Sequence, residues 1–311
     1  RPLPIHVVSL ADSAEIVKGK PKIPELVVHV DTLAKARAAW DGGADIVMLG
    51  GECFAQICLT ADDYRAAVKI AQQLGRKVIL TTPRIVKEWQ MPELETNIEL
   101  FNEIRPDAIS VSNLGVVELV QRVWNKAIHG DFPLNVYNRQ AIAFYSDHGI
   151  RSLTLSPELN FSQIEKLAGR NDGIELECLA HGYLPLMISE HCIVGSHLGN
   201  LRGERCTKVC SKEEYWLKDR MDELFPVATD QYCRMHVFNA KELSMIPHVT
   251  QLTKMGLAKI RIEAKKGDER YVARVTSLYR QLLDFGEARP EDIQAMEHAN
   301  ITRGHFFRGV L

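Results

Sequence analysis

From residue 24 onward one pattern recurs along the chain. An apolar run of four to seven residues, rich in Val, Ile and Leu, gives way to a polar turn. An amphipathic helical stretch follows and stops at Gly or a similar breaker before the next run begins. The runs are Glu25-Leu-Val-Val-His-Val30, Asp45-Ile-Val-Met-Leu49, Lys77-Val-Ile-Leu-Thr81, Asp107-Ala-Ile-Ser-Val111, Leu134-Asn-Val-Tyr137, Ser152-Leu-Thr-Leu155, Ile174-Glu-Leu-Glu-Cys178 and, after a long interruption, Lys259-Ile-Arg-Ile262. Asp31 is expected to cap a helix over 32–40 that Gly42-Gly43 stops, and Thr60 with Asp63 reads as a capping box for a helix ending at Gly75. Eight strand–helix units in about 250 residues predict parallel strands closed into a (β/α)8 TIM-barrel-like fold. An open doubly wound sheet has the same pattern, but no Gly-x-Gly-x-x-Gly follows the first strand to support it. Ahead of the repeats, residues 1–23 read as a strand (Ile5–Leu10) and a Lys/Pro-rich linker, continuing from a region upstream of Arg1. The barrel domain is expected over 24–311.

In either architecture function sits on the loops after the strands. Those positions are Gly50-Gly51-Glu52, Thr81-Thr82-Pro83-Arg84, Ser112-Asn113, Asn138-Arg139, Pro157-Glu158-Leu159, His181-Gly182 and Glu263. The seventh unit is anomalous: about 80 residues separate its strand from the eighth where about 20 would do, which marks 183–257 as an insertion with a purpose.

Composition sharpens this picture at the cysteines. Of seven in 311 residues, five fall between 178 and 233, a clustering in a large domain that suggests a metal rather than a disulfide scaffold. Cys192-x13-Cys206-x3-Cys210-x22-Cys233 offers four soft thiolates, enough for a [4Fe–4S] cluster or, alternatively, one tetrahedral Zn²⁺. Irregular spacing without tandem Cys-x2-Cys knuckles favours the cluster; four buried, unliganded thiols are the plain alternative. Cys178 reads as core, and Cys53 with Cys58 as ordinary packing beside a loop. Arg202, Arg205, Lys208, Lys212, Lys218 and Arg220 surround the ligand set, diluted by Glu204, Glu213, Glu214 and Asp219. That is a solvated face by default and a phosphate- or carboxylate-binding patch otherwise. The net charge of −2 gives no sign of a broad basic face for nucleic acid, and no apolar run reaches membrane-spanning length.

Glu175, Glu177, Leu179 and His181 alternate, so they are expected on one side of the seventh strand, with His181 at its C-terminal end. A histidine beside a buried carboxylate suits acid–base work, so His181 and Glu177 are the candidate catalytic pair. Arg261 and Glu263 alternate likewise on the eighth strand, and Arg261 is expected to close an ion pair against Glu177. A satisfied core histidine with structural Glu–Arg pairs is the competing reading. Gly-x-Ser-x-Gly, His-Glu-x-x-His and Walker motifs are all absent from the sequence.

Several segments, taken in order, resemble the peptidase U32 family of collagenase-like proteases. They are Gly42-Gly-Ala-Asp-Ile-Val-Met-Leu-Gly-Gly51, Pro106-Asp-Ala-Ile-Ser-Val-Ser-Asn-Leu-Gly115, Glu175-Leu-Glu-Cys-Leu-Ala-His-Gly182 with Cys192, and the Cys206/Cys210 pair. Lys259-Ile-Arg-Ile-Glu263, Tyr271-Val272, Tyr279-Arg280 and the run from Thr302 to Leu311 complete the series. The resemblance implies a barrel and a cysteine site that in several members holds a [4Fe–4S] cluster. It also implies oxygen-independent or prephenate-dependent hydroxylation of tRNA, ribosomal RNA or ubiquinone precursors, or else proteolysis. The chain departs from the family pattern at Pro185, Ser189-Glu-His191, Arg202-Gly-Glu204, Lys208-Val-Cys210-Ser211 and Glu263-Ala-Lys265. These departures allow a divergent barrel within a longer protein. The expectation is a cytoplasmic, metal-dependent enzyme with no membrane partner. It acts on RNA or a small carboxylate-bearing substrate, and other domains of a longer chain are further expected partners. A U32 peptidase and a non-catalytic binding domain with a structural metal are the alternatives.

Overall fold

The computed structural model describes residues 23–54, 58–169, 173–200, 206–297 and 300–308. The expected strand over 5–10, the linker to residue 22, Arg202, Glu204, Arg205 and the last three residues lie outside them. Seven parallel strands come first: β1 (Glu25–Val30), β2 (Ile46–Gly50), β3 (Lys77–Thr81), β4 (Ala108–Val111), β5 (Ala127–Gly130), β6 (Ser152–Thr154) and β7 (Glu175–Gly182). The insertion follows with β8 (Pro185–Ser189), β9 (Tyr215–Lys218), β10 (Leu224–Thr229), β11 (Met235–Phe238) and β12 (Glu242–Ser244). Then come β13 (Lys259–Glu263) and a short β14 (Ile301–Thr302). Each of β1 to β6 pairs in parallel with the next, and β13 pairs with both β7 and β1, which closes an eight-stranded TIM-barrel-like α/β fold. The antiparallel sheet β8-β11-β10-β9 stands apart from it, and β12 lies antiparallel on the end of β7.

Alternation along each strand sorts the residues. Leu26, Val28, Val47, Leu49, Leu80, Ile109, Ile260 and Ile262 join the main core shared with the surrounding helices, while Val27, Ile46, Met48, Ile79 and Ala108 form a separate apolar cluster. The helices end as their sequences dictate. Thr60 and Asp63 do form a capping box, and Gly75 stops that helix in the left-handed region at φ 61. Thr32, rather than Asp31, caps the first helix by accepting from the Lys35 backbone N–H. Asp31 is fully buried, bonded to the Lys35 ammonium and the Phe54 backbone N–H.

The fifth strand is not where its apolar content placed it. Leu134–Tyr137 is not a barrel strand; only Val136 makes an isolated bridge, to Leu155. The strand is Ala127–Gly130, whose inward residue is a histidine and whose C-terminal end is therefore Asp131-Phe132. Asn138, expected at a strand end, caps the helix Arg139–Asp147 instead. Among the described residues no helix is long and apolar enough to cross a membrane.

Candidate functional site

The other half of the barrel interior, facing the apolar cluster from β1 to β4, is polar and organised around one guanidinium. Arg261 on β13 is 0% exposed. Its Nη1 lies 2.7 Å from Asp131 Oδ1 and 3.3 Å from Glu177 Oε1, and its Nε 3.1 Å from Glu263 Oε1. Its own burial opposes the charge, but three carboxylates raise the guanidinium pKa well above its ordinary value. In return, Arg261, His29 and His129 outweigh burial at Asp131 and bring it down to about 2. Glu263 is likewise held below the ordinary range against burial, by His29 and Arg261. Beside Glu177, Thr154 donates its hydroxyl to Oε1 at 2.9 Å and contacts His129 Nε2 at 2.9 Å, while Ser152 lies 2.7 Å from His129 Nδ1. Burial pushes His129 down to about 4, only partly offset by Glu177, so it is neutral at physiological pH.

At the C-terminal ends of the strands this network opens into a narrow recess. Its walls include His29, Glu52, Thr81, Arg84, Asp131 and Glu263, with Phe54, Phe132, Phe238, His236, Lys265 and Lys266 above them. The Arg84 and Arg261 guanidinium carbons sit 5.6 and 5.7 Å from the Phe132 ring centre. Glu52 is kept ionised despite burial by Lys265, 3.6 Å away, and by the Arg84 backbone N–H. Gly51, at φ 75, leaves room here, since a Cβ would come within 3.1 Å of Thr81 Oγ1. Glu177, Arg261 and Glu263 thus come together as a connected set. His29 and Asp131 belong to it and were not anticipated from sequence.

His181 is not part of that set. The β7–β13 register shifts, pairing Leu179 with Arg261 but His181 with Ile262, which leaves Ala180 as a bulge. One extra residue reverses the alternation, so His181 turns out of the barrel toward the helix Glu269–Phe285. There its Nδ1 is 3.3 Å from Tyr279 Oη and its Nε2 3.5 Å from Glu242 Oε1, fully buried. This corrects the expected His181–Glu177 acid–base pair.

The insertion presents the four expected thiols. Cys192 accepts from the Gly195 backbone N–H at 3.2 Å and Cys206 from that of Lys208 at 3.4 Å. Cys210 lies on the 3-10 turn Val209–Ser211. Cys233 takes the left-handed region at φ 59 in the turn between β10 and β11. All four are free, and the Cys233 thiol is raised by partial burial and then by Cys210, Cys192 and Cys206. Among the described residues no three His, Cys, Asp or Glu side chains approach as the ligands of a single ion. The turn carrying Cys233 is tied to the barrel. Gln231 accepts from the Cys53 backbone N–H and donates to the Gly51 carbonyl, and Arg234 donates to Asp230 and to the Ile85 carbonyl. A second, wider recess is lined by Cys210, Cys233, Cys53 and Cys58 together with Lys35, Lys208 and Lys212, and Phe54, Lys265 and Lys266 border both recesses.

These features define a (β/α)8-barrel protein with a charged, ring-walled mouth and a thiol-bearing insertion beside it. A profile of "Peptidase family U32" matches residues 31–309, and the chain belongs to that family. Among its relatives is tRNA hydroxylation protein P1 of Bacillus subtilis (strain 168), 25% identical over 89% of this chain and 68% of the relative. The 23S rRNA 5-hydroxycytidine C2501 synthase of Escherichia coli (strain K12) is 27% identical over 84% of this chain and 39% of its own length. A collagenase of Porphyromonas gingivalis (strain ATCC BAA-308 / W83) is 24% identical over 84% and 65%.

Proposed function

We propose that this chain is an RNA-modifying U32 protein that carries a [4Fe–4S] cluster on Cys192, Cys206, Cys210 and Cys233 and receives its substrate in the barrel mouth. The observation that carries this reading is the shared wall: Phe54, Lys265 and Lys266 border both the mouth and the thiol recess. The donor set suits the cluster. Four soft thiols without a histidine are the donors an iron–sulfur cluster takes, and two of them accept backbone N–H groups. When bound, such a cluster supplies one-electron redox chemistry. The chain's own residues bind and orient. Around the thiol recess, with Lys35 paired to Asp31, Lys265 to Glu52 and Asp230 to Arg234, Lys208, Lys212 and Lys266 stand against Glu213 and Glu214. That balance favours a phosphate backbone, or a small carboxylate-bearing co-substrate, at this edge. Two relatives named for tRNA and rRNA hydroxylation support RNA as the substrate. Free thiols and an RNA substrate agree with a reducing, cytoplasmic setting.

The peptidase reading has less on its side. Among the described residues, the serine and threonine hydroxyls that meet a histidine are those of Ser152 and Thr154 on His129 and of Ser196 beside His191 and His197, and none of them lines the recess. The test is nucleoside mass spectrometry of tRNA and rRNA from cells lacking the protein. A hydroxylated nucleoside should disappear, return with the wild-type gene, and stay absent with Cys233→Ser. An unchanged nucleoside profile, or gelatin hydrolysis by the purified protein, counts against the reading.

A further inference from the structure

Two buried polar atoms at the barrel mouth have no hydrogen-bond partner among the described residues: Nε2 of His29 and Oγ1 of Thr81. Both residues line the recess, and His29 is only 5% exposed. A polar atom shut away from water and left unpaired is costly, so its persistence marks a place where a ligand supplies the partner. The other ring nitrogen of His29 is committed, with Nδ1 2.7 Å from Glu263 Oε1. Glu263 is a carboxylate, because His29 and Arg261 hold it below its ordinary range against burial. A carboxylate only accepts, so Nδ1–H of His29 is the donor to Glu263, and in that tautomer Nε2 is the acceptor left over for a ligand. Phe54, Phe132 and Phe238 give the recess flat apolar walls. An acceptor, a free hydroxyl and ring-shaped walls together fit a planar heterocycle that carries an N–H donor.

We propose that His29, oriented by Glu263, is the specificity-determining residue of the barrel mouth, its Nε2 accepting a hydrogen bond from a ring N–H of a nucleobase while the Thr81 hydroxyl is free to donate to a ring carbonyl. The choice of a nucleobase rests on the RNA reading above; the orientation of His29 does not. Glu263 is a positioning residue, acting through His29.

The test uses the full chain labelled with ¹⁵N-histidine, with uridine as probe, because its ring N–H stands between two carbonyls. The His29 resonances, assigned by their loss in His29→Gln, should report the Nδ1–H tautomer at neutral pH, and Glu263→Gln should relax that preference. Uridine should shift the Nε2 resonance, whereas 3-methyluridine, which lacks the N–H, should leave it unmoved and bind about tenfold more weakly, the loss expected for one hydrogen bond of roughly 1.4 kcal/mol. An Nε2-protonated tautomer in the free protein, equal response to both nucleosides, or no response to uridine overturns the proposal. Metal content does not enter these measurements. A cluster-free protein with a responsive His29 would sink the RNA-hydroxylation reading alone, and a cluster-bearing protein with an indifferent His29 would sink this inference alone.

Discussion

Removing the guanidinium at the centre of the barrel perturbs the molecule most sharply. Arg261→Met keeps the length and apolar stem of the side chain but leaves Asp131, Glu177 and Glu263 facing one another without their cation. Part of the cost can be worked from Asp131, which ionises at about 2 against an ordinary 3.8. At about 1.4 kcal/mol per pH unit, that difference is worth roughly 2.5 kcal/mol at neutral pH, a share of it owed to His29 and His129. Because the folded value is the lower one, this stability is present above the ordinary value and is lost only as pH falls toward 2. With two further buried carboxylates losing the same partner, the total loss should be about 3–5 kcal/mol. Urea unfolding at neutral pH measures it directly. In the variant the stranded carboxylates take up protons more easily, so the gap to wild type should narrow when the titration is repeated near pH 5. A loss below about 1 kcal/mol, or one of the same size at both pH values, would refute the electrostatic account of the barrel interior.

Other substitutions probe the rest of the architecture. His181→Phe should destabilise the protein by about 1–3 kcal/mol in urea unfolding, through lost contacts to Tyr279 and Glu242, while uridine binding stays at the wild-type level. Gly182 sits at φ 111 with its would-be Cβ 2.1 Å from the Glu263 carbonyl oxygen, so Gly182→Ala should cost about 3 kcal/mol or more and lower the Tm by several degrees. His129 titrates at about 4 when folded, below its ordinary 6.5, so its contribution is intact above 6.5 and is lost as pH falls to 4. A pH series of unfolding curves should show up to roughly 3 kcal/mol of loss across that window, and His129→Gln should flatten it.

The parts of this molecule that follow from local periodicity were legible in the chain. Seven of the eight barrel strands lie where apolar runs put them, because a strand covered by helices on its outer face must be apolar there. The fifth was hidden because Ala127-Ile-His-Gly130 has a histidine on its inner side, and Leu134-Asn-Val-Tyr137 nearby is more apolar. That slip concealed Asp131, which closes the Arg261 network. His181 was misplaced for a different reason: the bulge at Ala180 arises from pairing with β13, a contact about 80 residues away in sequence that alternation within β7 does not report. His29 carried a signal that could have been used, since Val27 and His29 alternate along β1 and Val27 faces the barrel interior. The spacing of Cys192, Cys206, Cys210 and Cys233 pointed to a shared site, and all four lie on the insertion between β7 and β13. Their connection to the barrel mouth through Gln231 and Arg234 depends on tertiary contacts alone.

The central claim, a cluster-bearing thiol site beside the barrel mouth, is tested most directly by iron and acid-labile sulfide analysis of anaerobically purified protein. The account predicts about four of each per chain, with both lost in Cys233→Ser. One zinc per chain without sulfide, or a metal-free protein with all four thiols reactive, would contradict it.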